Sequence, residues 1–227
     1  MPQFNSSMPR SKAAIDSGLT MQRPIFITGT DTGVGKTIAT AVLGLLLKDR
    51  GIDAGVMKPV QCGGHDAAFL KRILQVDDAL ELINPFFATE PLSPYLAFAR
   101  RQKEIDPKKI VAAFETLSSR HSVMLVEGAG GLMVPLAQDY FVIDLIRDLN
   151  AQLVIVSRLG LGTINHTLLT VEQAHSRCIP VRGIIFNDTM GENKGIPEKT
   201  NPQAIEKMSG VPVLGVVPHL KRFDAPY

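Results

Sequence analysis

Short apolar runs alternate along this chain with longer segments whose apolar residues recur at helical spacing. The runs predict strands over residues 23–28, 53–59, 121–126, 152–156, 181–186 and 213–217. The longer segments predict helices over 37–49, 68–74, a short one from 77, then 107–119, 142–149, 167–175 and 203–208. This alternation predicts an α/β fold, a three-layer doubly wound and mostly parallel sheet with helices on both faces.

Three segments depart from the pattern. Residues 84–95 contain three prolines and predict an extended loop of the kind that often binds a ligand, and 190–200 predict a polar loop. Residues 1–22 are polar and unpatterned, so we expect a disordered N-terminal extension ahead of a single domain over 23–227. A transit-type peptide is the alternative, because Arg10 and Lys12 with neighbouring serines fit that composition.

Composition excludes several classes of protein. The 227 residues suffice for one full-sized α/β domain, and the net charge of +2 gives no basic footprint for nucleic acid or an anionic membrane. No apolar run approaches the ~20 residues of a membrane span. The two cysteines, Cys62 and Cys178, lack metal-ligand spacing and suit a reducing compartment, so we predict a cytoplasmic protein.

The segment TGTDTGVGKT (residues 28–37) lies between the first predicted strand and the first predicted helix. Strand, glycine-rich turn, Gly-Lys-Thr and helix make up the P-loop arrangement, in which backbone N–H groups and a helix N-terminus bind phosphate. Lys36 would reach the β- and γ-phosphates, and the Thr37 hydroxyl would hold Mg²⁺. The first glycine, Gly29, stands one position earlier than in the standard spacing. The alternative is an ordinary glycine-rich turn with a surface lysine.

Polar residues follow several of the other predicted strands, at the edge where open α/β sheets bind ligands. Lys58 and Glu127 each end a strand before a glycine-rich turn, and Glu127 matches the position of a Mg²⁺-linked acid. Asp66 suits metal coordination or a helix N-cap, and Asn187 suits an adenine edge or the start of a turn. For Lys58 and Glu127 the alternative is a solvated residue at a strand end.

The motifs occur in one order, and together they resemble the dethiobiotin synthetase family of P-loop NTPases. They are TGTDTGVGKT (28–37), KPVQCG (58–63), EPLSP (90–94), VEGAGG (126–131), LGTINH (161–166) and ND (187–188). The early Gly29 is the form that this family shows. The resemblance implies an ATP- and Mg²⁺-dependent cyclo-ligase of biotin biosynthesis. It would carboxylate 7,8-diaminononanoate with CO₂ through a carbamate and a carbamic-phosphoric anhydride, giving dethiobiotin, ADP and phosphate.

The resemblance also implies roles for individual residues. Catalytic residues would be Lys58, Lys36 and Thr32. ATP would contact Gly33, Val34, Gly35, Lys36, Thr37, Ile38, Asp66, Glu127, Gly128, Ala129, Gly130, Asn187, Asp188, Pro218, His219 and Leu220. Mg²⁺ would be held by Thr37, Asp66 and Glu127. Substrate would contact Lys58, Cys62, Pro91, Ser93, Gly131, Leu159, Gly160, Leu161, Gly162, Thr163 and Asn165. In the family the cradle around residues 160–164 comes from the partner subunit, which implies a homodimer.

The chain departs from the family pattern at three places. Gly33 stands where many relatives carry Glu, and Cys62 where they usually carry Ser or Thr, which is a stronger hydrogen-bond partner. The chain ends at Tyr227, where relatives usually continue, so we expect altered ATP affinity or base preference.

Two other functions remain open. A partitioning or septum-site ATPase switch would carry an extra lysine near the start of the phosphate loop, and residues 29–31 contain none. It would often end in a basic membrane helix, for which residues 221–223 are too short. Another amide-forming P-loop synthetase, of the cobyrinate type, would usually need a glutaminase domain for which the chain has no room.

Overall fold

The computed structural model describes residues 23–189, 191 and 195–220. The strands in these ranges are β1 (Ile25–Gly29), β2 (Ala54–Met57), β3 (Val60–Cys62), β4 (Phe86–Ala88), β5 (Val123–Glu127), β6 (Pro135–Ala137), β7 (Tyr140–Phe141), β8 (Gln152–Arg158), β9 (Val181–Asn187) and β10 (Val213–Val217). The helices are α1 (Lys36–Asp49), α2 (Asp66–Leu74), α3 (Leu80–Ile83), α4 (Pro94–Ala99), α5 (Pro107–Ser118), α6 (Val142–Asp148), α7 (Thr163–Ser176) and α8 (Ile196–Ser209). The predicted N-terminal extension and residues 221–223 lie outside the described residues.

Six strands form one parallel sheet in the order β10-β9-β8-β1-β5-β2. Consecutive residues of one strand point to opposite faces, so Phe26 packs in one buried apolar cluster and Ile27 in the other. Helices α1 and α2 cover the Ile27 face, and α5 to α8 cover the Phe26 face. The predicted three-layer α/β fold is confirmed. It brings the loops that follow β1, β2 and β5 to one edge of the sheet.

The prediction of an extended loop over residues 84–95 is wrong in part. Residues Phe86–Ala88 form β4, which pairs in parallel with β3, and α4 begins at Pro94. Proline fits the first turn of a helix, because its missing N–H would have no partner within the helix there. The ring of Phe86 packs edge to face on Phe98 of α4 at a centroid distance of 5.8 Å. The proline-rich segment is therefore folded against the sheet-edge loops.

Three other predicted helix starts are wrong. Helix α7 begins at Thr163, not at 167, and its N-cap is Gly162 at φ 90°. Helix α8 begins at Ile196, not at 203, because Pro197 lies in the first turn, where it is tolerated, and Glu198 accepts the Gly195 N–H at 2.8 Å. The short helix predicted from residue 77 begins at Leu80, because the Asp78 side chain binds Arg120 and His121 instead of capping a helix. The short antiparallel pair β6–β7 has no counterpart among the predicted strands.

Candidate active site

The phosphate loop joins β1 to α1 and leaves the N-terminus of α1 without a side-chain cap. Gly33 and Gly35 both have positive φ, at 75° and 94°, which points their neighbours' N–H groups inward. Gly35 also lies against Asn187 of β9, so that a Cβ there would collide with the Asn187 side chain. Asn187 Nδ2 donates to the Val34 carbonyl at 3.1 Å. The loop is thus fixed by the end of β9, two strands away from β1 in the sheet, in a shape that binds anions.

Lys36 is buried at the start of α1, with 7 % of its surface exposed. Its Nζ donates to the Asp31 carbonyl at 3.1 Å, and no ion pair involves it among the described residues. Burial lowers the pKa of Lys36 to about 8, the nearby Lys58 charge adds to this, and Glu127 opposes it. The Lys36 ammonium therefore lacks a compensating anion, which the phosphates of a nucleotide would supply.

Lys58 follows β2 and is 4 % exposed, yet it is closely paired. Its Nζ lies 2.9 Å from Asp66 Oδ2, contacts Glu127 Oε1, and donates to the Gly128 carbonyl at 3.3 Å. Burial alone would lower the pKa of Lys58, but the charges and hydrogen bonds of Glu127 and Asp66 raise it above its ordinary value. Lys58 therefore stays cationic, in contrast to the weakened charge of Lys36.

The carboxylate of Glu127, at the end of β5, connects Lys58 to the phosphate loop. Thr37 Oγ1 donates to Glu127 Oε1 at 2.9 Å. Glu127 Oε2 is buried and has no hydrogen-bond partner among the described residues. A buried carboxylate oxygen without a partner is costly, which indicates that a cation or a water belongs there.

The oxygens of Thr37, Asp66 and Glu127 fit Mg²⁺ in their chemistry. Within the described ranges, no group of three His, Cys, Asp or Glu side chains is placed to hold a metal. This agrees with Mg²⁺ in nucleotide sites, where one or two carboxylates act together with phosphates and water instead of a full protein cage. The unpartnered Glu127 oxygen is the observation that favours the cation.

Asp66 does not cap a helix through its side chain. It is the first residue of α2, the N-cap is His65, and no side-chain cap is formed there. Its carboxylate turns to Lys58 instead. Gln61 fixes this orientation, because its Oε1 accepts the Ala67 N–H at 2.9 Å and its Nε2 donates to the Gly64 carbonyl at 2.8 Å.

One cavity of about 630 Å³ joins these groups. The predicted site residues that line it are Thr32, Gly33, Gly35, Lys36, Thr37, Ile38, Lys58, Cys62, Asp66, Pro91, Ser93, Glu127, Ala129 and Gly130. It does not include Val34, Gly128, Gly131, Leu159, Gly160, Leu161, Gly162, Thr163, Asn165, Asn187, Asp188, Pro218, His219 or Leu220. The cavity therefore has two parts. One is cationic and suits phosphate, and the other is lined by residues of the proline-rich segment.

Comparison with known proteins agrees with this geometry. A family model described as an AAA domain matches residues 23–227. ATP-dependent dethiobiotin synthetase BioD of Methanococcus vannielii is 42 % identical over 200 residues, covering 88 % of this chain and 95 % of that protein. The protein of that name from Thermodesulfovibrio yellowstonii is 41 % identical over 220 residues, covering 90 % and 92 %.

This chain belongs to the dethiobiotin synthetase family. Solved structures of more distant proteins have a similar fold. The septum site-determining protein MinD of Pyrococcus horikoshii, complexed with Mg-ADP, superposes with a TM-score of 0.58 at 19 % identity, over 86 % of this chain and 81 % of that one. A ParA family ATPase from Chlorobium tepidum gives 0.55 at 16 %, over 88 % and 85 %. These two share the fold alone.

Cys62 lies in the cavity of this dethiobiotin synthetase family member at the position where the family pattern has Ser or Thr. It is half-buried, and burial raises the pKa of its thiol, opposed by the charges of Arg101 and Lys58. The thiol therefore stays protonated at neutral pH and can donate only a weak hydrogen bond.

Some residues that build the site were missed in the sequence. Val60, Gln61, Leu92, Pro94 and Val134 also line the cavity. Gln61 lies inside the KPVQCG motif, so its place in that motif was the available signal. Gln61 binds backbone groups at the start of α2 and just before it. The sequence does not show which backbone groups lie within reach of this side chain.

The segment before α7 differs from the cavity residues, because none of residues 159–163 lines the cavity. Gly162 is the N-cap of α7 at φ 90°, and the cap carries no side-chain hydrogen bond. The N–H groups of residues 164 and 165 are thus available for an anion, whereas the Thr163 N–H donates to the Gly160 carbonyl at 3.2 Å. Leu161 beside them is 90 % exposed.

Proposed function

We propose that this protein is an ATP-dependent dethiobiotin synthetase, a cyclo-ligase of biotin biosynthesis. It converts 7,8-diaminononanoate, CO₂ and ATP into dethiobiotin, ADP and phosphate. The observation that carries the proposal is the cavity in which the phosphate-loop lysine Lys36 and the paired lysine Lys58 lie together. Membership of the family supplies the substrate class.

The proposed reaction proceeds through anions. One substrate amine attacks the carbon of CO₂, an N–C bond forms, and a proton leaves to solvent. A carbamate oxygen then attacks the γ-phosphorus of ATP, and ADP leaves. The second amine attacks the carbonyl carbon, the ureido ring closes, and phosphate leaves while the amine proton goes to solvent. Cations and oriented donors serve such a sequence better than a protein nucleophile would.

The phosphate loop would bind the nucleotide and stabilise the transferring phosphoryl group. The N–H groups of residues 33–37 and the Lys36 ammonium surround the anion, and the dipole of α1 adds to their field. Thr32 lies beside them in the cavity, where its hydroxyl can orient the same group. A bound phosphate would stabilise the Lys36 ammonium more than the Lys58 ammonium, because the Lys36 charge is buried without an ion pair.

Lys58 would hold the carbamate and orient it towards the γ-phosphate. Mg²⁺ supplies charge neutralisation of the phosphates when bound, and Thr37, Asp66 and Glu127 are the residues that would hold it. The raised pKa of Lys58 keeps it cationic at neutral pH, so it binds anions and does not act as a base. Cys62, Pro91, Ser93 and Gly131 would complete the substrate side.

The adenine and the substrate carboxylate would be bound outside this cavity. Asn187 ends β9 and Asp188 follows it, and Pro218, His219 and Leu220 follow β10, at the same edge of the sheet as the phosphate loop. These residues would contact the adenine base. Gly128 and Val34 would contact the phosphate end of the nucleotide. The cradle of Leu159, Gly160, Leu161, Gly162, Thr163 and Asn165 would hold the carboxylate in the partner's site.

A homodimer would explain two features of α7 and its surroundings. The cradle does not line the cavity of its own chain. Leu161, Leu169 and Ile196 are 90 %, 62 % and 77 % exposed, an apolar surface that a second copy would cover. None of the described helices is long and apolar enough to cross a membrane. We expect the enzyme in the cytoplasm.

The test is dethiobiotin formation by the purified protein with diaminononanoate, bicarbonate, Mg²⁺ and ATP. Phosphate release should depend on the diamine. Lys36→Ala should lower turnover at least ~10²-fold, since it removes an electrostatic stabiliser of the transferring group. Lys109→Ala, an exposed lysine of α5, should keep wild-type turnover. ATP hydrolysis that is indifferent to the diamine would reject the proposal and favour a switch ATPase.

A further inference from the structure

A cluster of buried hydroxyls links the phosphate loop to the first turn of α7. Ser157, at the end of β8, and Thr163 and Thr167 of α7 are completely buried. Ser157 Oγ lies 2.7 Å from Thr163 Oγ1, 2.9 Å from Thr167 Oγ1 and 3.3 Å from Thr30 Oγ1. Ser157 thus contacts three other hydroxyls in a region from which water is excluded.

The direction of each hydrogen bond follows from counting protons. Thr163 Oγ1 donates to the Arg158 carbonyl at 2.6 Å, so its one proton is committed and it must accept from Ser157. Ser157 has then used its own proton and can only accept from Thr167 and Thr30. One donation and two acceptances exhaust the capacity of a serine hydroxyl. This arrangement satisfies all four hydroxyls through the shorter contacts, and it does not need the contact of 3.5 Å between Thr163 Oγ1 and Thr167 Oγ1.

The cluster connects three elements, the phosphate loop, β8 and α7. Thr30 lies in the phosphate loop. Its backbone N–H also donates to the Val156 carbonyl of β8 at 3.0 Å. This backbone bond fixes β8 relative to the loop, but it does not fix α7. Ser157 adds that constraint, because both of its α7 partners lie within the first two turns of that helix.

We propose that Ser157 is a positioning residue that fixes the N-terminus of α7, and with it the substrate-carboxylate cradle, on the body of its own subunit, so that the cradle is presented correctly to the partner's site. This inference rests on the proposed function of the cradle. Ser157 touches no reacting atom. It acts through Thr163, the first residue of α7, by holding the N–H groups of residues 164 and 165 where a carboxylate can meet them.

Ser157→Ala should raise the KM for diaminononanoate about 10-fold and leave kcat within about twofold. The carboxylate is remote from the reacting amines, so its binding contributes equally to ground state and transition state. Ser209→Ala is the matched control. It also removes a serine hydroxyl that binds a helix carbonyl, Ile205 O at 2.7 Å, but at the far end of α8. It should leave the diamine KM unchanged.

A second variant approaches the cluster from the phosphate loop. Thr30→Val removes only the link to Ser157 and should raise the diamine KM about threefold. The double variant should raise it no further than Ser157→Ala alone, because both changes break one network. If Ser157→Ala does not fold, Thr30→Val decides, and a wild-type diamine KM in that variant would overturn the inference.

Two outcomes separate this inference from the proposed function. An active wild type whose diamine KM is unchanged in Ser157→Ala, or whose two single effects multiply in the double variant, would overturn the role of Ser157 only. A wild type that forms no dethiobiotin would overturn the proposed function and this inference with it.

Discussion

Strands β2 and β5 carry a cluster of charged side chains at both ends, and the two clusters differ in one respect. The amino-end cluster consists of Asp53, Asp78, Arg120 and His121. The carboxyl-end cluster consists of Lys58, Asp66 and Glu127. The first satisfies its own charges, and the second leaves a carboxylate oxygen without a partner.

The amino-end cluster is closed. His121 lies between two carboxylates, with Nε2 2.7 Å from Asp78 Oδ2 and Nδ1 3.1 Å from Asp53 Oδ1, and Arg120 Nη1 lies 2.9 Å from Asp78 Oδ1. Both ring nitrogens face acceptors, which favours the imidazole that carries two protons and raises the pKa of His121. Two cations then balance two carboxylates.

The carboxyl-end cluster is open. Its two carboxylates share Lys58 as their one ion-pair partner among the described residues. Glu127 Oε2 has no partner, and the cluster lines the cavity of about 630 Å³. A cluster that leaves a buried carboxylate oxygen without a partner and opens into a cavity is arranged to receive a cation, whereas a closed cluster with every charge paired joins segments of the fold.

The largest predicted effect is on turnover. Lys58→Ala should lower it at least ~10²-fold, because an electrostatic stabiliser of the carbamate is lost. The matched change in the other cluster, His121→Gln, should leave turnover within about twofold. Steady-state rates of dethiobiotin formation measure both. A normal kcat in Lys58→Ala would remove this residue from the mechanism and would break the distinction between the clusters.

Much of the open cluster could be predicted from the sequence. Lys58 and Glu127 end apolar runs, and a parallel sheet brings such ends to one edge. The phosphate loop is contiguous, so its chemistry is visible without a fold. The assignment of these residues to ATP, substrate or Mg²⁺ stays a prediction.

Contacts made by tertiary packing could not be predicted. The sequence around Asp66 fits a helix N-cap and a metal ligand equally well. The direction of the Asp66 carboxylate depends on the contacts of Gln61, which the sequence does not show. Strand β4 is a three-residue segment among prolines, stabilised by its pairing with β3 and by the packing of Phe86 on Phe98. The amino-end cluster was not predicted, because Asp53, Asp78 and His121 are separated by stretches of unrelated sequence.

The second effect is a metal dependence of stability. Lys58 and Mg²⁺ would compete for the same two carboxylates. Lys58→Met leaves Glu127 buried without a cation, so the free energy of unfolding should fall by about 2 kcal/mol in the absence of metal, or ~4–8 °C in Tm. Added Mg²⁺ should stabilise this variant more than the wild type, since the site binds metal without competition.

Thermal melts with and without Mg²⁺, in the absence of nucleotide, measure this difference. Lys36→Met is the control, because it also removes a buried lysine of the cavity but leaves both carboxylates paired with Lys58. An equal Mg²⁺ shift in the wild type and in Lys58→Met would contradict competition between the lysine and the metal.

The smallest effect is a pH dependence that should belong to the closed cluster. Burial would lower the pKa of His121, but its bonds to Asp78 and Asp53 raise it above 6.5. Burial would raise the pKa of Asp78, but its bonds to His121 and Arg120 lower it below 3.8. The stabilisation by His121 is complete below pH 6.5 and is lost as pH rises through the raised pKa. The stabilisation by Asp78 is complete above pH 3.8 and is lost as pH falls through the lowered pKa of Asp78.

The closed cluster should therefore stabilise the fold fully between pH 3.8 and 6.5. His121→Gln should lower the free energy of unfolding by about 1 kcal/mol at a pH inside this window, and the difference from wild type should shrink towards pH 9. Urea unfolding at several pH values measures it. The exposed His175 gives the control, because His175→Gln should change the free energy by less than about 0.5 kcal/mol. A His121→Gln difference that stays constant from pH 6 to 9 would mean that packing, not charge, holds the two strand ends together.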